Sequence, residues 1–109
     1  MDFNQNKPIY LQIADSICEK ILSGEYLPDE RILSVRELGV SLGVNPNTIA
    51  RVYEHLQGME IIYNKRGIGY FVSPSAPERI LERQREEFLM NELPLVARKM
   101  KLLGVPLSV

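Results

Sequence analysis

Between Pro8 and Ser23 the apolar residues Tyr10, Ile13, Ala14, Ile17, Cys18 and Ile21 recur at three- and four-residue steps, which lines them along one side of a helix. Pro8 suits a first helical position and Gly24 a helix stop. Leu27-Pro28-Asp29-Glu30 carries the residues of a tight turn, and a short extended piece follows at 31–33. Ser34-Val35-Arg36-Glu37 reads as a capping box, with Leu33 and Leu38 flanking it as a hydrophobic staple. The helix they start is expected to carry Leu38 and Leu42 inward and to end at Gly43. Asn45 then caps, and Pro46 opens, a further helix with Ile49, Val52, Tyr53 and Leu56 as its buried stripe. Two helices joined by so few residues, with a glycine in the joint, have the spacing of a helix-turn-helix. An ordinary antiparallel helix pair has equally short connections.

After Gly58 the period becomes extended. Ile61-Ile62-Tyr63 and Tyr70-Phe71-Val72 are aromatic and β-branched runs around Asn64-Lys65-Arg66-Gly67-Ile68-Gly69, which predicts a β-hairpin with a basic, glycine-bearing tip. Residues 74–77, within Ser73-Pro74-Ser75-Ala76-Pro77, read as a linker. From Glu78 a charged helix carries Ile80, Leu81, Phe88, Leu89 and Leu93. Pro94 starts or kinks a second one with Leu95, Val96, Met100 and Leu103, ending before Gly104. Two short helices have too little chain of their own to bury that surface, so a partner subunit is its natural cover.

The chain has 109 residues, 45% hydrophobic and 25% charged, which allows one domain with a real core plus a short appendage. No apolar run is long enough to span a membrane and no signal segment opens the chain, so a cytoplasmic location without membrane partners is expected. One cysteine, Cys18, and one histidine, His55, cannot assemble a Cys/His metal site. Cys18 lies on an apolar helix side and reads as core filler, and no cofactor is expected.

With a net charge of -1, any nucleic-acid contact requires a local positive face. The acids Asp2, Asp15, Glu19, Glu25, Asp29 and Glu30 fall on the first helix and its exits, away from the second helix of the pair. That helix presents Asn47, Thr48 and Arg51 outward, amide, hydroxyl and guanidinium groups suited to base edges and phosphates. Arg51 could read a guanine or neutralise a phosphate, and Asn47 could cap the helix instead of reading a base. Arg36 would meet a phosphate. Lys65 and Arg66 would reach phosphates or a minor groove, with Gly67 and Gly69 letting the backbone approach closely. An enzyme is disfavoured: His55 lies on the same helix, and Glu86 and Glu87 are neighbours that do not converge on one helical site.

The blocks Ser23-Gly24-Glu25-Tyr26 through Ser34-Val35-Arg36-Glu37-Leu38, Leu42-Gly43-Val44-Asn45-Pro46-Asn47-Thr48-Ile49, and Arg66-Gly67-Ile68-Gly69-Tyr70-Phe71-Val72 closely resemble the N-terminal domain of the GntR family of bacterial transcription regulators. The resemblance covers about residues 8 to 73. The Asn45-Pro46-Asn47-Thr48 turn and the short tail with Leu102-Leu103-Gly104-Val105 look like its YtrA subfamily. That implies contacts to double-stranded DNA from Arg36, Asn45, Asn47, Thr48, Arg51 and the wing around Arg66 and Gly67, and a homodimer formed through the tail. This sequence departs from the family in having Leu33 for a usual proline, Asp29 for a usual glycine, where a type I turn would serve, and Ala50 where other branches place arginine.

The resulting expectation is a mainly α fold with a small β-hairpin: a winged helix-turn-helix at 1–73, a linker at 74–77 and a two-helix dimerisation tail at 78–109. Leu81, Phe88, Leu89, Leu93, Val96, Met100 and Leu103 are the expected dimer contacts. The expected activity is repression from an inverted-repeat operator. A small-molecule effector, if used, would change the spacing of the two recognition helices. A winged helix serving only as a protein interaction module is the rival reading.

Overall fold

The computed structural model describes residues 7–106. Helix α1 (Ile9–Leu22) buries Ile13, Ala14, Ile17, Cys18 and Ile21, as their periodicity requires. Pro8 stands at the N-cap, one residue outside the helix, and Gly24 turns the chain away with φ +82°. In the turn that follows, the Glu30 N–H donates to the Leu27 carbonyl at 3.0 Å and Asp29 takes φ 63°. A proline at the second position of a turn and a positive φ at the third make the type II arrangement, so the expected type I turn is corrected and Asp29 adopts the backbone that glycine would supply.

Helices α2 (Val35–Leu42) and α3 (Pro46–Gly58) are joined through Gly43, which is left-handed at φ 66°. Leu38 is buried as expected, but Leu42 is 48% exposed and Gly39 holds the inward place. A Cβ on Gly39 would stand 2.8 Å from the Val44 carbonyl oxygen, so the missing side chain is what lets α2 cross this closely beneath the turn. The apolar face of α3, with Ile49, Val52 and Leu56 fully buried and Tyr53 1% exposed, is the centre of the core. The Tyr53 hydroxyl donates to the Leu33 carbonyl at 2.5 Å, tying α3 to the segment before α2, and burial pushes its phenol pKa well up.

The hairpin pairs β1 (Ile62–Lys65) with β2 (Gly69–Val72), antiparallel, in the register Ile62 to Val72 and Lys65 to Gly69. The extended piece before α2 lies along the free edge of β2: the Ile32 N–H donates to the Tyr70 carbonyl at 3.0 Å, and Arg31 bridges Phe71. That cover satisfies backbone groups an open strand edge would leave unpaired. Ile62 and Val72 point into the core, and Tyr70 meets Tyr53 edge to face at 4.8 Å.

Helix α3 ends at Gly58, where the extended period was expected to begin, and Glu60, left-handed at φ 59°, closes it as the Ile61 N–H reaches the Leu56 carbonyl at 3.0 Å in a Schellman arrangement. The expected linker at 74–77 is corrected. Helix α4 (Ala76–Glu87) begins two residues before Glu78, leaving only Ser73-Pro74-Ser75 outside regular structure. Its first turn joins the core, with Ala76 fully buried and Ile80 2% exposed, and Arg79 pairs with Glu60 at 2.7 Å.

From α4 the chain continues through a π-helical turn, Phe88–Glu92, straight into α5 (Leu93–Leu103). Pro94 therefore sits in the first turn of α5 without a loop before it. Its ring would collide with the carbonyl four residues earlier in a regular α-helix, and the wider π turn removes that collision. Among the described residues α5 buries none. The tail is an arm, and the molecule is accordingly long, 58 × 29 × 21 Å.

Candidate nucleic-acid interface

The start of α3 follows from its cap. The Asn45 Oδ1 accepts from the Asn47 N–H at 2.8 Å, so this oxygen caps the helix, and the amide NH₂ of the exposed Asn45 takes no part in the cap. Asn47, Ala50 and Arg51 are exposed and Thr48 is half-buried, on the side opposite the buried stripe. Arg51 is not loose in solvent: its Cζ lies 4.0 Å from the centre of the Tyr10 ring. His55, one turn further along α3, meets that ring in a T-shaped pair with the centres 5.9 Å apart.

The capping box expected at α2 is present in both directions. The Ser34 N–H donates to Glu37 Oε1 at 3.0 Å and the Glu37 N–H donates to Ser34 Oγ at 3.1 Å. The backbone donor at Ser34, then its side chain, hold the Glu37 carboxyl below its ordinary pKa. With Glu37 so engaged, Arg36 is exposed and without an ion-pair partner among the described residues.

In the wing, Arg66-Gly67-Ile68 forms the tip, closed by the Ile68 N–H donating to the Lys65 carbonyl at 2.9 Å, with Gly67 at φ +78°. Arg66 is exposed. Lys65 lies over Phe71, its Nζ 4.8 Å from the ring centre, and Phe71 stacks on Tyr63 at 5.6 Å. The Tyr63 hydroxyl donates to Asp29 at 2.9 Å, which raises the tyrosine pKa and places one of the acids at the foot of the wing. Asp15 and Glu19 lie on α1, while Asp2 falls outside the described residues.

The sequence reading passed over one cation. A Cβ on Gly69, at φ +147°, would come within 2.9 Å of Arg31 Nε, so the Arg31 guanidinium rests against the backbone at the base of the wing. A lone glycine in a strand pattern signals this kind of close approach, and Gly69 carried that signal. Arg31 thus joins Lys65 and Arg66 as a third positive group of the wing.

The tail residues are placed as follows. Leu81, Phe88, Leu89, Val96 and Leu103 are 39%, 45%, 56%, 46% and 68% exposed, and Leu93 and Met100 are half-buried. Leu93, Val96, Met100 and Leu103 follow helical spacing and form one apolar stripe along α5. Ile80, read from sequence with the tail, belongs instead to the core. Between α1 and the tail runs an open polar groove lined by Lys7, Asp15, Glu19, Arg83 and Glu87. Cys18 is buried, which pushes its thiol pKa up to about 11, and none of its contacts suggests chemistry.

Residues 9–72 match the family model described as bacterial regulatory proteins, gntR family. The chain is similar to an uncharacterized helix-turn-helix transcriptional regulator of Bacillus subtilis, YhcF, at 37% identity over 94% of this chain and 84% of that one. It is similar to the transcriptional repressor YtrA of the same organism at 35% identity over 75% of this chain and 63% of that protein. A solved structure of a GntR-family protein from Bacteroides thetaiotaomicron superposes with a TM-score of 0.80 at 48% identity, covering 92% of this chain and 86% of that one.

Proposed function

Because the chain belongs to the gntR family of bacterial regulatory proteins, as a YtrA-like DNA-binding transcriptional regulator, we propose that it acts as a homodimeric repressor of an inverted-repeat operator. The observation that carries this reading is the division of α3: one side fully buried at Ile49, Val52 and Leu56, the other presenting Asn47, Thr48 and Arg51 from its first two turns. In a helix-turn-helix those turns enter the major groove, where amide and guanidinium groups can read base edges. Arg36 at the start of α2 and Arg31, Lys65 and Arg66 at the wing supply phosphate and minor-groove contacts on either side.

The tail, residues 78–109, supplies the dimer. Among the described residues none of its apolar stripe is fully buried, and pairing it with the same stripe of a second copy buries it in a two-fold interface. Two recognition helices related in this way fall roughly 34 Å apart, one turn of duplex. Occupancy of such a site across a promoter excludes polymerase. A polar effector, where one is used, fits the groove between α1 and α4 and acts by shifting the tail against the DNA-binding domain.

Selection of bound duplexes from a random library by the whole protein, at near-physiological salt, tests the proposal. A two-fold symmetric motif is expected, and transcription in vitro from a promoter bearing it should fall as protein is added. Binding that yields no motif, or a motif without symmetry, overturns the sequence-specific dimer. Absence of any binding favours the protein interaction module.

A further inference from the structure

We infer that Tyr10, on the first helix and outside the helix-turn-helix, is a specificity-positioning residue that aims Arg51 at a base pair; the inference rests on the DNA-binding reading above. Tyr10 stands in the first turn of α1, half-buried. Its ring meets two residues of the recognition helix spaced by one turn: Arg51 Cζ lies over the face at 4.0 Å, and the His55 ring packs against it at 5.9 Å between centres with the planes at 86°. Tyr10 also shares a surface hollow with Asn47, Thr48 and Arg51, so the ring adjoins the outward side of the recognition helix.

Arg51 was open, on sequence alone, to either a phosphate or a base role. The contact with Tyr10 distinguishes them. A phosphate contact needs only charge within reach and tolerates a side chain free to swing. A two-pronged contact to guanine O6 and N7 needs the guanidinium plane set in advance. The face of Tyr10, 4.0 Å from Arg51 Cζ, confines the guanidinium on one side, and a contact to a ring face uses none of its N–H donors. The ring thereby removes rotamers the arginine would otherwise lose on binding.

The test is duplex selection repeated for the wild type, Tyr10→Leu, Tyr10→Phe and Arg51→Lys, each checked for folding by thermal melting, with operator affinity measured across a salt series. Tyr10→Leu is expected to weaken operator binding about fivefold and to relax the base preference at one pair per half-site. Arg51→Lys should relax the same pair, and Tyr10→Phe, which keeps the ring, should restore it. The salt dependence should keep the wild-type slope in both Tyr10→Leu and Arg51→Lys, because no phosphate charge is removed.

A wild-type motif that survives unchanged in Tyr10→Leu overturns the inference and leaves the regulator reading standing. If Tyr10→Leu does not fold, Arg51→Lys on the exposed side of α3 decides: an unaltered preference at every base pair overturns the inference equally. Failure of the wild type to select any motif removes the DNA reading and this inference together.

Discussion

Glu37 ties the helix-turn-helix to pH. Its carboxylate accepts the Ser34 N–H, so the folded state prefers the charged form and its pKa is lowered from 4.5. The stabilisation is therefore complete above pH 4.5 and is lost as pH falls through the lowered value. Glutamine at this position keeps the cap geometry without the charge. The melting temperature of the wild type relative to Glu37→Gln should hold steady from about pH 7 to about pH 5 and fall below that; a difference independent of pH down to about pH 3 contradicts this role. Local residues of this kind were legible in the sequence. Ser34, Glu37 and Asn45 act within three positions of themselves, and their hydrogen bonds follow from spacing alone. Asp29 and Glu60 were not, because their left-handed backbones are imposed by Tyr63 and Val72 in one case and sustained beside Arg79 in the other.

At the level of elements, the closeness of α2 to the turn into α3 depends on Gly39. Leucine there would drive a side chain into the Val44 carbonyl, 2.8 Å from the Cβ position, and toward Ile49 beyond it. Gly39→Leu should destabilise the domain by about 1–3 kcal/mol, read from the urea midpoint at unchanged slope, with operator binding falling in parallel. A variant as stable as the wild type means that the helices can separate at little cost and that this crossing is not what fixes the recognition helix. Periodicity identified α1, α2, α3 and the hairpin. It could not choose between a helix-turn-helix and a plain antiparallel pair, because that choice lies in the crossing that Gly39 permits. Nor could it see that α4, the π turn and α5 run on without a break, since Pro94 reads as a helix boundary unless the preceding turn widens to accept it.

Across the whole molecule the exposed tail is where the proposed dimer is tested. Phe88 and Leu89 are 45% and 56% exposed on the π turn, midway along the arm. Replacing both by glutamate places charge in the proposed interface without touching the core formed by α1, α3 and the wing. Sedimentation should show a species of twice the monomer mass for the wild type and the monomer for Phe88→Glu/Leu89→Glu, with the thermal transition of the DNA-binding domain preserved and the two-fold operator bound far more weakly. A double variant that remains dimeric locates the interface elsewhere.

Spacing along the chain and the chemistry of single side chains sufficed for α1, α2, α3 and the hairpin in their order, the two helix caps, the buried stripe of α3 and the exposed residues Arg36, Asn47, Arg51, Lys65 and Arg66. Only the tertiary structure decided that Arg31 rests on Gly69, that Ala76 and Ile80 complete the core, and that Tyr10 holds Arg51. Each of these joins residues distant in sequence and from separate elements. Such contacts have no periodicity to announce them, and they arise only when packing brings the elements together.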